Sequence, residues 1–450
     1  MAVTLALLEA GSLVTGVCVA TLLWGRPLLA DWLDVAGLLG QALALSLTCL
    51  LAFYVNDLYD LRVVRSFSEF APRLVQSVGI VFILLAALYQ LVPMVRLAEQ
   101  SALSSLALVV GLVVVVRLAS YSIIRNRRFG QRVLFIGWSP LTQKLLQQIE
   151  AQPHRRYTIA GVADDATAGV EPASPYPLLG PLKHLEKILD EVKPDRIIVA
   201  LAERRGRLPV TELLASRVRG IAVEDGVDVY ERLTGKLAIE SMTPSALIFS
   251  RDFRKSRLDL ALGRWMSLLA SLAGLIALAP LFGLIALAIR LESRGPVFFV
   301  QEREGFHGRR FKLIKFRTMH PAAGKTSEWA RDNSDRITRV GKWLRRFRLD
   351  ELPQFVNILR GEMNLVGPRP HPVTNFDLFS DRIPYYFLRS LVRPGVTGWA
   401  QVRYGYANDL DEETEKMRYD LFYIKHLSAE LDLRILFETV KIVLGGRERP

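Results

Sequence analysis

The chain has 450 residues, half of them hydrophobic, with 58 Lys and Arg against 45 Asp and Glu, a net charge of +13. At roughly 100–200 residues per domain it holds two to four units; it is too apolar to be disordered, and its basic balance points to anionic lipid, phosphate or nucleic acid as a partner. Its two cysteines, Cys18 and Cys49, lie in apolar runs without a neighbouring His or Cys, which excludes a disulfide scaffold, a Cys-rich zinc site and an iron–sulfur cluster.

Four runs at the front, residues 3–24, 35–55, 74–94 and 102–124, are nearly free of charge. A helix rises ~1.5 Å per residue, so each can cross a hydrocarbon core ~30 Å thick. Buried helices of a soluble bundle would keep a polar face, which these mostly lack. A cleaved signal peptide does not fit either, because the first run has no basic leader. Residues 1–125 therefore read as a four-helix transmembrane bundle. Arg62, Arg65 and Arg73 follow the second run, and Arg125, Arg127, Arg128 and Arg132 follow the fourth; the other loops hold only Arg26 and Arg96. The positive-inside tendency then puts both ends of the bundle, and everything after 125, in the cytoplasm. Arg117, inside the fourth run, snorkels or pairs within the bundle and is given no function.

Residues 126–250 change character. Buried strands are expected at Val133–Ile136, Tyr157–Val162 and Arg196–Leu201, with a helix near 140–150 between the first two. Such strand–helix alternation predicts a parallel, Rossmann-like sheet. Its dinucleotide fingerprint is incomplete: after the first strand the chain reads Gly137-Trp138-Ser139-Pro140, without the glycines that let backbone approach a pyrophosphate. A structural or regulatory domain is expected.

A fifth apolar run, Trp265 to Ile289, is interrupted by Pro280 and flanked on both sides by basic residues, Arg251, Arg254, Lys255, Arg257 and Arg264 before it and Arg290 and Arg294 after. Proline breaks helical hydrogen bonding, and basic flanks favour the cytoplasm at both ends. A re-entrant helix over about 258–291, with its break at Pro280, satisfies both facts; Ser267 and Ser271 are candidates to satisfy the backbone freed at the break. An ordinary fifth span would put the rest of the chain on the far side of the membrane. Residues 251–350 carry 21 Lys and Arg against 9 Asp and Glu. This segment should hug an anionic leaflet, at about 1 kcal/mol per basic residue near the surface, and attract a polyanionic substrate. Nucleic acid is the rival partner, but no helix-turn-helix, RNA-recognition or zinc-finger signature accompanies the charge.

The chemistry gathers between 301 and 401. Phe311-Lys-Leu-Ile-Lys315-Phe316-Arg317-Thr318-Met319 is followed by Arg345-Arg346-Phe347-Arg348 and then Leu349-Asp350-Glu351-Leu352-Pro353-Gln354, a helix start closed by Gly361. Val366-Gly367-Pro368-Arg369-Pro370 and Pro394-Gly395-Val396-Thr397-Gly398-Trp399-Ala400-Gln401 come next. Adjacent carboxylates at a helix N-terminus among cations should have depressed pKa values and stay ionised. A carboxylate can attack phosphorus, or ligate Mg²⁺ together with substrate phosphates. The cations would stabilise charge on a transferring phosphoryl group. The plain alternative for Asp350 is a helix N-cap.

The stretch from Arg257-Leu258-Asp259 to about 443 resembles the bacterial sugar transferases, the polyprenyl-phosphate sugar-1-phosphate transferases. The matching pieces are Gly295–Arg303, Lys315–Met319, Leu349–Gln354, Leu365–Pro370 and Pro394–Gln401, with Tyr419–Tyr423 and Asp432 fitting the tail. The four spans and the worn Rossmann-like domain resemble the large form of that family, giving a multi-domain membrane protein: bundle 1–125, Rossmann-like α/β domain 126–250, and a mainly helical catalytic domain 251–450.

The resemblance implies transfer of a sugar-1-phosphate from a UDP-sugar to undecaprenyl phosphate, with release of UMP, as the first membrane step of exopolysaccharide, capsule or O-antigen synthesis. It implies Asp350 as nucleophile, Glu351 assisting, both as Mg²⁺ ligands, and Lys315, Arg317 and Arg369 facing phosphates, with Thr318, Arg345, Arg348, Pro368 and Gln401 in the substrate phosphate and nucleotide site. It also implies a homodimer in the bacterial inner membrane with the catalytic domain on the cytoplasmic face. Arg348 stands where the family often has Ser, and Val402-Arg403-Tyr404 follows Gln401 where many members carry Gly-Arg. Two rival readings are a membrane-bound nucleotide-sugar dehydratase or epimerase, which lacks here its glycine fingerprint and Tyr-x-x-x-Lys pair, and a non-enzymatic regulator of polysaccharide assembly.

Overall fold

The computed structural model describes residues 32–56, 67–91, 131–151, 157–165, 175–241, 255–320, 336–405 and 407–445, with a few isolated positions between them. The apolar run at 3–24 and most of that at 102–124 lie outside the described residues, as do Cys18 and most of the loop arginines used to orient the bundle. Helices α1 (Trp32–Val55) and α2 (Phe67–Leu91) are described and pack against each other through Leu45, Cys49, Phe53, Phe70, Leu74 and Val81. Their outer faces expose Leu43, Leu47, Val75 and Ile83. Among the described residues two helical stretches are long and apolar enough to cross a membrane, Phe70–Gln90 and Arg257–Ala277.

The middle of the chain is the expected parallel sheet. Its strands β1 (Gln131–Ile136), β2 (Tyr157–Ala163), β3 (Leu178–Gly180), β4 (Arg196–Val199) and β5 (Ala222–Asp225) lie in the order β3-β2-β1-β4-β5. Helices α3 (Pro140–Glu150), α4 (Leu185–Val192), α5 (Val210–Val218) and α6 (Gly226–Thr234) cover it. Strand β1 is apolar throughout its buried part because both faces are covered: Val133 and Phe135 enter one core, Leu134 and Ile136 the other. The strands β3 and β5 escape sequence reading because β3 spans only three residues and β5, Ala222-Val-Glu-Asp225, is half acidic.

The third region begins with α7 (Arg257–Ala277) and α8 (Ala279–Glu292), a helix pair whose junction falls at Leu278, with Pro280 in the first turn of α8. Proline has no N–H to continue the α7 ladder, and the bonds Leu278 N–H to Gly274 O and Phe282 N–H to Leu278 O flank the gap. The expected serines do not serve this break. Ser267 Oγ donates to Gly263 O and accepts from Leu365 N–H instead, and Ser271 Oγ is buried without a hydrogen-bond partner. Along α7 the outward face is apolar, with Trp265 63% and Leu269 62% exposed.

The remaining elements are β6 (Phe298–Glu304) and β7 (Arg310–Phe316), an antiparallel ribbon, then α9 (Arg339–Arg346), a 3-10 turn Leu349–Glu351, α10 (Gln354–Leu359), β8 (Asn364–Val366) and α11 (Val373–Arg382). Strand β9 (Gly395–Thr397), paired in parallel with β8, leads into α12 (Trp399–Arg403), α13 (Leu410–His426) and α14 (Ala429–Gly445). The core of this region reaches back across the expected boundary at 251. Leu237 and Ile239, 1% and 4% exposed, are part of it. Leu237 N–H donates to Arg418 O, and the Trp399 indole donates to Gly235 O at 2.7 Å. Glu231 on α6 accepts from Lys425 Nζ at 2.7 Å and pairs with His426.

Candidate active site

Asp350 and Glu351 sit in the 3-10 turn between α9 and α10, and both are buried. Arg348, just before the turn, adopts a left-handed backbone (φ 53°), which a side chain other than Gly takes only when its surroundings hold it there. Those surroundings are on both sides. Upstream, Thr338 caps α9 by accepting from Gly341 N–H at 2.9 Å. Downstream, Asn357 of α10 bolts the turn to β7: its Nδ2 donates to Lys312 O at 2.8 Å, and its Oδ1 accepts from Ile314 N–H at 3.1 Å. Strand β7 carries Lys315, so one amide fixes the acid pair relative to its first cation.

The cations converge on Glu351. Lys315 Nζ donates to Oε1 at 2.9 Å and Arg369 Nη2 to the same oxygen at 2.8 Å, while Arg348 Nη1 lies 3.8 Å from Oε2. Burial alone would raise the Glu351 pKa, but these three charges overcome it and hold the carboxyl well below the usual carboxylate range. Asp350 behaves in the opposite way. Among the described residues no donor hydrogen-bonds its carboxylate, and burial together with the Glu351 charge raises its pKa, against the pull of Lys315, Arg345 and Arg369. The expectation that both acids are depressed is therefore corrected: within the pair, one acid is clamped and the other is left to the buried environment. Burial also pushes Lys315 down, in spite of Glu351.

The other expected site residues separate into groups. Arg345 Nε donates to Thr318 Oγ1 at 3.0 Å, which ties α9 to the end of β7. Arg317 does not join the cluster. Its guanidinium forks onto Ser293 O at 2.8 Å and Arg294 O at 3.2 Å, holding the chain where α8 ends. Glu292 in turn accepts from Arg339 and Val340 N–H at the start of α9. Arg264 of α7 donates to Ile358 O and Met363 O around the end of α10. Both arms of the helix pair are thus fastened to helices on either side of the acid turn. Pro368 O accepts from Gly395 N–H at 3.0 Å, and Gln401 Nε2 donates to Val396 O at 3.0 Å, so these two residues shape the interlocked β8 and β9 turns. Gly398 lies so close to Gly367 that a Cβ there would stand 2.2 Å from Gly367 O.

The residues of this site fall within the span of a family match. A model of the bacterial sugar transferases matches residues 258–446, and one described as a CoA-binding domain matches 54–208. An undecaprenyl-phosphate glucose phosphotransferase of Komagataeibacter xylinus is 35% identical over 337 residues, covering 72% of this chain and 60% of the relative. A UDP-glucose:undecaprenyl-phosphate glucose-1-phosphate transferase of Klebsiella pneumoniae is 33% identical over 323 residues, covering 70% and 68%. A UDP-N-acetylgalactosamine-undecaprenyl-phosphate N-acetylgalactosaminephosphotransferase of Aeromonas hydrophila is 41% identical over 219 residues, covering 48% and 51%. The chain belongs to the bacterial sugar transferase family. It spans about half to two thirds of the length of these relatives.

Sequence reasoning missed a second buried cluster behind this family site. Arg389, Glu413, Lys416, Asp420, His371 and Tyr386 form it. Its signal was present in α13, where Glu413, Lys416 and Asp420 recur at three- and four-residue spacing, but such a stripe reads as a solvated helix face. Tyr423 and Lys425, two residues apart and so not the Tyr-x-x-x-Lys pair of a dehydratase, are structural: Tyr423 Oη donates to Asp432 at 2.8 Å, and Lys425 is bound to Glu231.

Proposed function

We propose that the chain transfers a sugar-1-phosphate from a UDP-sugar to undecaprenyl phosphate at the cytoplasmic face of a bacterial inner membrane, releasing UMP. An Asp350 oxygen attacks the β-phosphorus, and the bond to the UMP oxygen breaks with its electron pair. The polyprenyl phosphate oxygen then attacks the same phosphorus and frees the aspartate. The observation that carries this reading is the asymmetry of the acid pair: Glu351 is consumed by Lys315 and Arg369, while Asp350 is buried with cations near but, among the described residues, no hydrogen-bond donor on it. A poorly solvated carboxylate is a better nucleophile, and Arg345 and Arg369 are at hand for the departing phosphate. Glu351 holds Lys315 and Arg369 in place.

The donor set also suits a divalent ion of the Mg²⁺ type, which binds through one or two carboxylates and completes its shell with phosphate oxygens. Among the described residues no group of three metal-ligating side chains exists. Asp350, with the edge of Glu351, would therefore hold the ion together with the donor diphosphate. When bound, such an ion neutralises phosphate charge. The helix pair α7–α8 supports a half-sunk placement that brings a headgroup phosphate and a soluble donor to one point, since its outer face is apolar while both arms are fastened to the same domain.

The decisive experiment is UMP release from a panel of UDP-sugars with undecaprenyl phosphate, run on wild type and Asp350→Ala. Turnover should vanish in the variant, and a phospho-sugar adduct should be trapped on residue 350 of the wild type. Full activity in Asp350→Ala would remove the nucleophile. For the membrane placement, single cysteines introduced on either side of Pro280 should both label from the cytoplasm; a periplasmic label after 290 would make α7–α8 a true span.

A further inference from the structure

We infer that Arg389 is a positioning residue for this site, acting through the backbone of Arg369. The inference rests on the reading of Asp350, Glu351 and Arg369 given above. Arg369 reaches Glu351 with its side chain, so the turn that carries it, Gly367–His371, must be held to within a fraction of an ångström. That turn is pinned on one edge by Gly367 N–H to Thr397 O and Gly395 N–H to Pro368 O, both at 3.0 Å or less. On the other edge Arg303 donates to Pro370 O at 3.0 Å, and Glu304 N–H to His371 O at 3.1 Å. Beneath it lies Arg389, whose Nη2 donates to the Arg369 carbonyl at 2.9 Å.

Arg389 is 5% exposed, and contacts on both of its terminal nitrogens fix its plane. The same Nη2 lies 2.9 Å from Asp420, Nη1 meets Tyr386 Oη and stands 3.6 Å from Glu413, and the guanidinium lies over the Tyr386 ring. Glu413 is held in turn by Lys416 at 3.2 Å and Tyr386 at 3.1 Å, with His371 3.2 Å away. Two acids therefore face two cations with no bulk water between them. A buried network costs desolvation, and apolar residues of equal volume would give stability at least as well. What apolar residues cannot do is present a fixed donor to a carbonyl in the turn that carries the active-site arginine. Lysine cannot reproduce the fork either, since one ammonium on a flexible stem does not place two nitrogens in one plane, one on Tyr386 Oη and the other on the Arg369 carbonyl.

The test compares wild type, Arg389→Gln, Arg389→Lys, Arg369→Lys and the Arg389→Gln/Arg369→Lys double variant, full length in membranes, as UMP release per folded molecule. Arg389→Gln should lose about 100-fold in kcat, as a small misplacement of a substrate-facing group does, with KM for the polyprenyl phosphate unchanged. Arg389→Lys should fall between, about tenfold below wild type. The double variant should lose little more than the worse single one, because the second change acts on a group already displaced. A merely structural Arg389 would lower the folded amount and multiply its loss with that of Arg369→Lys. Multiplicative losses, an unaltered Arg389→Gln, or failure of both 389 variants to fold while Arg369→Lys folds would each overturn the inference. A wild type that releases no UMP removes the transfer reading itself, and this inference with it.

Discussion

Of the buried acid–arginine clusters in this molecule, the one beside the parallel sheet and the one at the acid turn sit at comparable depth, and of these two only the acid turn leaves, among the described residues, an acid without a donor. At the open edge of the parallel sheet, Asp164 is 3% exposed, accepts from Trp138 N–H at 2.7 Å and pairs with Arg207 at 2.6 Å. Beside it Ser139 donates to Ala200 O at 2.6 Å, and Asp165 accepts from Leu182 N–H. Gly137 keeps its positive φ (97°), but Leu201 packs so tightly there that a Cβ would stand 2.8 Å from its backbone. The polar groups that would greet a dinucleotide in a live Rossmann crevice are spent on the protein. At the acid turn Asp350 is 9% exposed and has no such partner among the described residues. The contrast ties the role proposed for Asp350 to a partner that the fold withholds from it.

The sharpest way to break this comparison is to neutralise one acid in each region. Asp350→Asn should lose on the order of 10⁴-fold or more in turnover, as removal of a nucleophile does. Its stability should move the other way. A carboxylate whose folded pKa is raised binds its proton more tightly folded than unfolded, so its ionised form opposes folding, and that cost is present above the folded pKa and fades as pH falls through it. Asp350→Asn should therefore melt no lower than wild type at pH 7, and higher if the amide is accommodated. The same shift sets the pH profile. A carboxylate that attacks phosphorus must be ionised, so if Asp350 plays the proposed part the acid limb of kcat/KM should lie above ~4, the ordinary range for Asp, and move in Asp350→Glu. An acid limb below that range would contradict the asymmetry of the pair.

A smaller effect tests where the two regions meet. Leu237→Ala removes a side chain that belongs by sequence to the sheet domain and by packing to the catalytic core. It should cost about 2–4 kcal/mol, read as a lower melting temperature of the detergent-solubilised protein. A catalytic fragment begun at 251 should accumulate poorly for the same reason, whereas one begun at Gly226 keeps the docking segment. An intact, stable fragment from 251 would mean that Leu237 and the Gly235–Trp399 bond are ornamental.

The comparison also explains what was legible beforehand. The parallel sheet was readable because β1 and β4 carry short runs of Val, Leu, Phe and Ile buried on both faces and β2 carries the apolar stretch Ile159–Ala163, and Pro280 announced the break between α7 and α8 because no other residue so reliably interrupts a ladder. The acid turn was readable from its motif order. The roles within it were not. Arg317 is one more cation in a basic stretch, and only the fold reveals that its donors end on Ser293 and Arg294 carbonyls. The opposite pKa directions of Asp350 and Glu351 depend on which oxygen Lys315 and Arg369 reach, and adjacency in sequence carries no such information. Arg389 and Glu413 were hidden because charge at helical spacing looks the same whether it faces water or a buried network.

The smallest expected effects lie in the sheet-edge cluster, and they serve as its calibration. Asp164→Asn leaves Arg207 without its buried partner and should cost about 1–3 kcal/mol in thermal or denaturant unfolding, with turnover close to wild type. Arg204 pairs with Asp225 at the same edge at 2.6 Å, but that side chain is 45% exposed. Arg204→Ala should therefore cost under about 1 kcal/mol, and added salt should erase most of the difference. The ordering matters more than either value. If Asp164→Asn were to abolish UMP release while leaving the fold intact, the sheet edge would be communicating with Asp350, and the contrast between a satisfied cluster and a reactive one would have to be redrawn around α6, whose Glu231 already touches Lys425 and His426 of the catalytic domain.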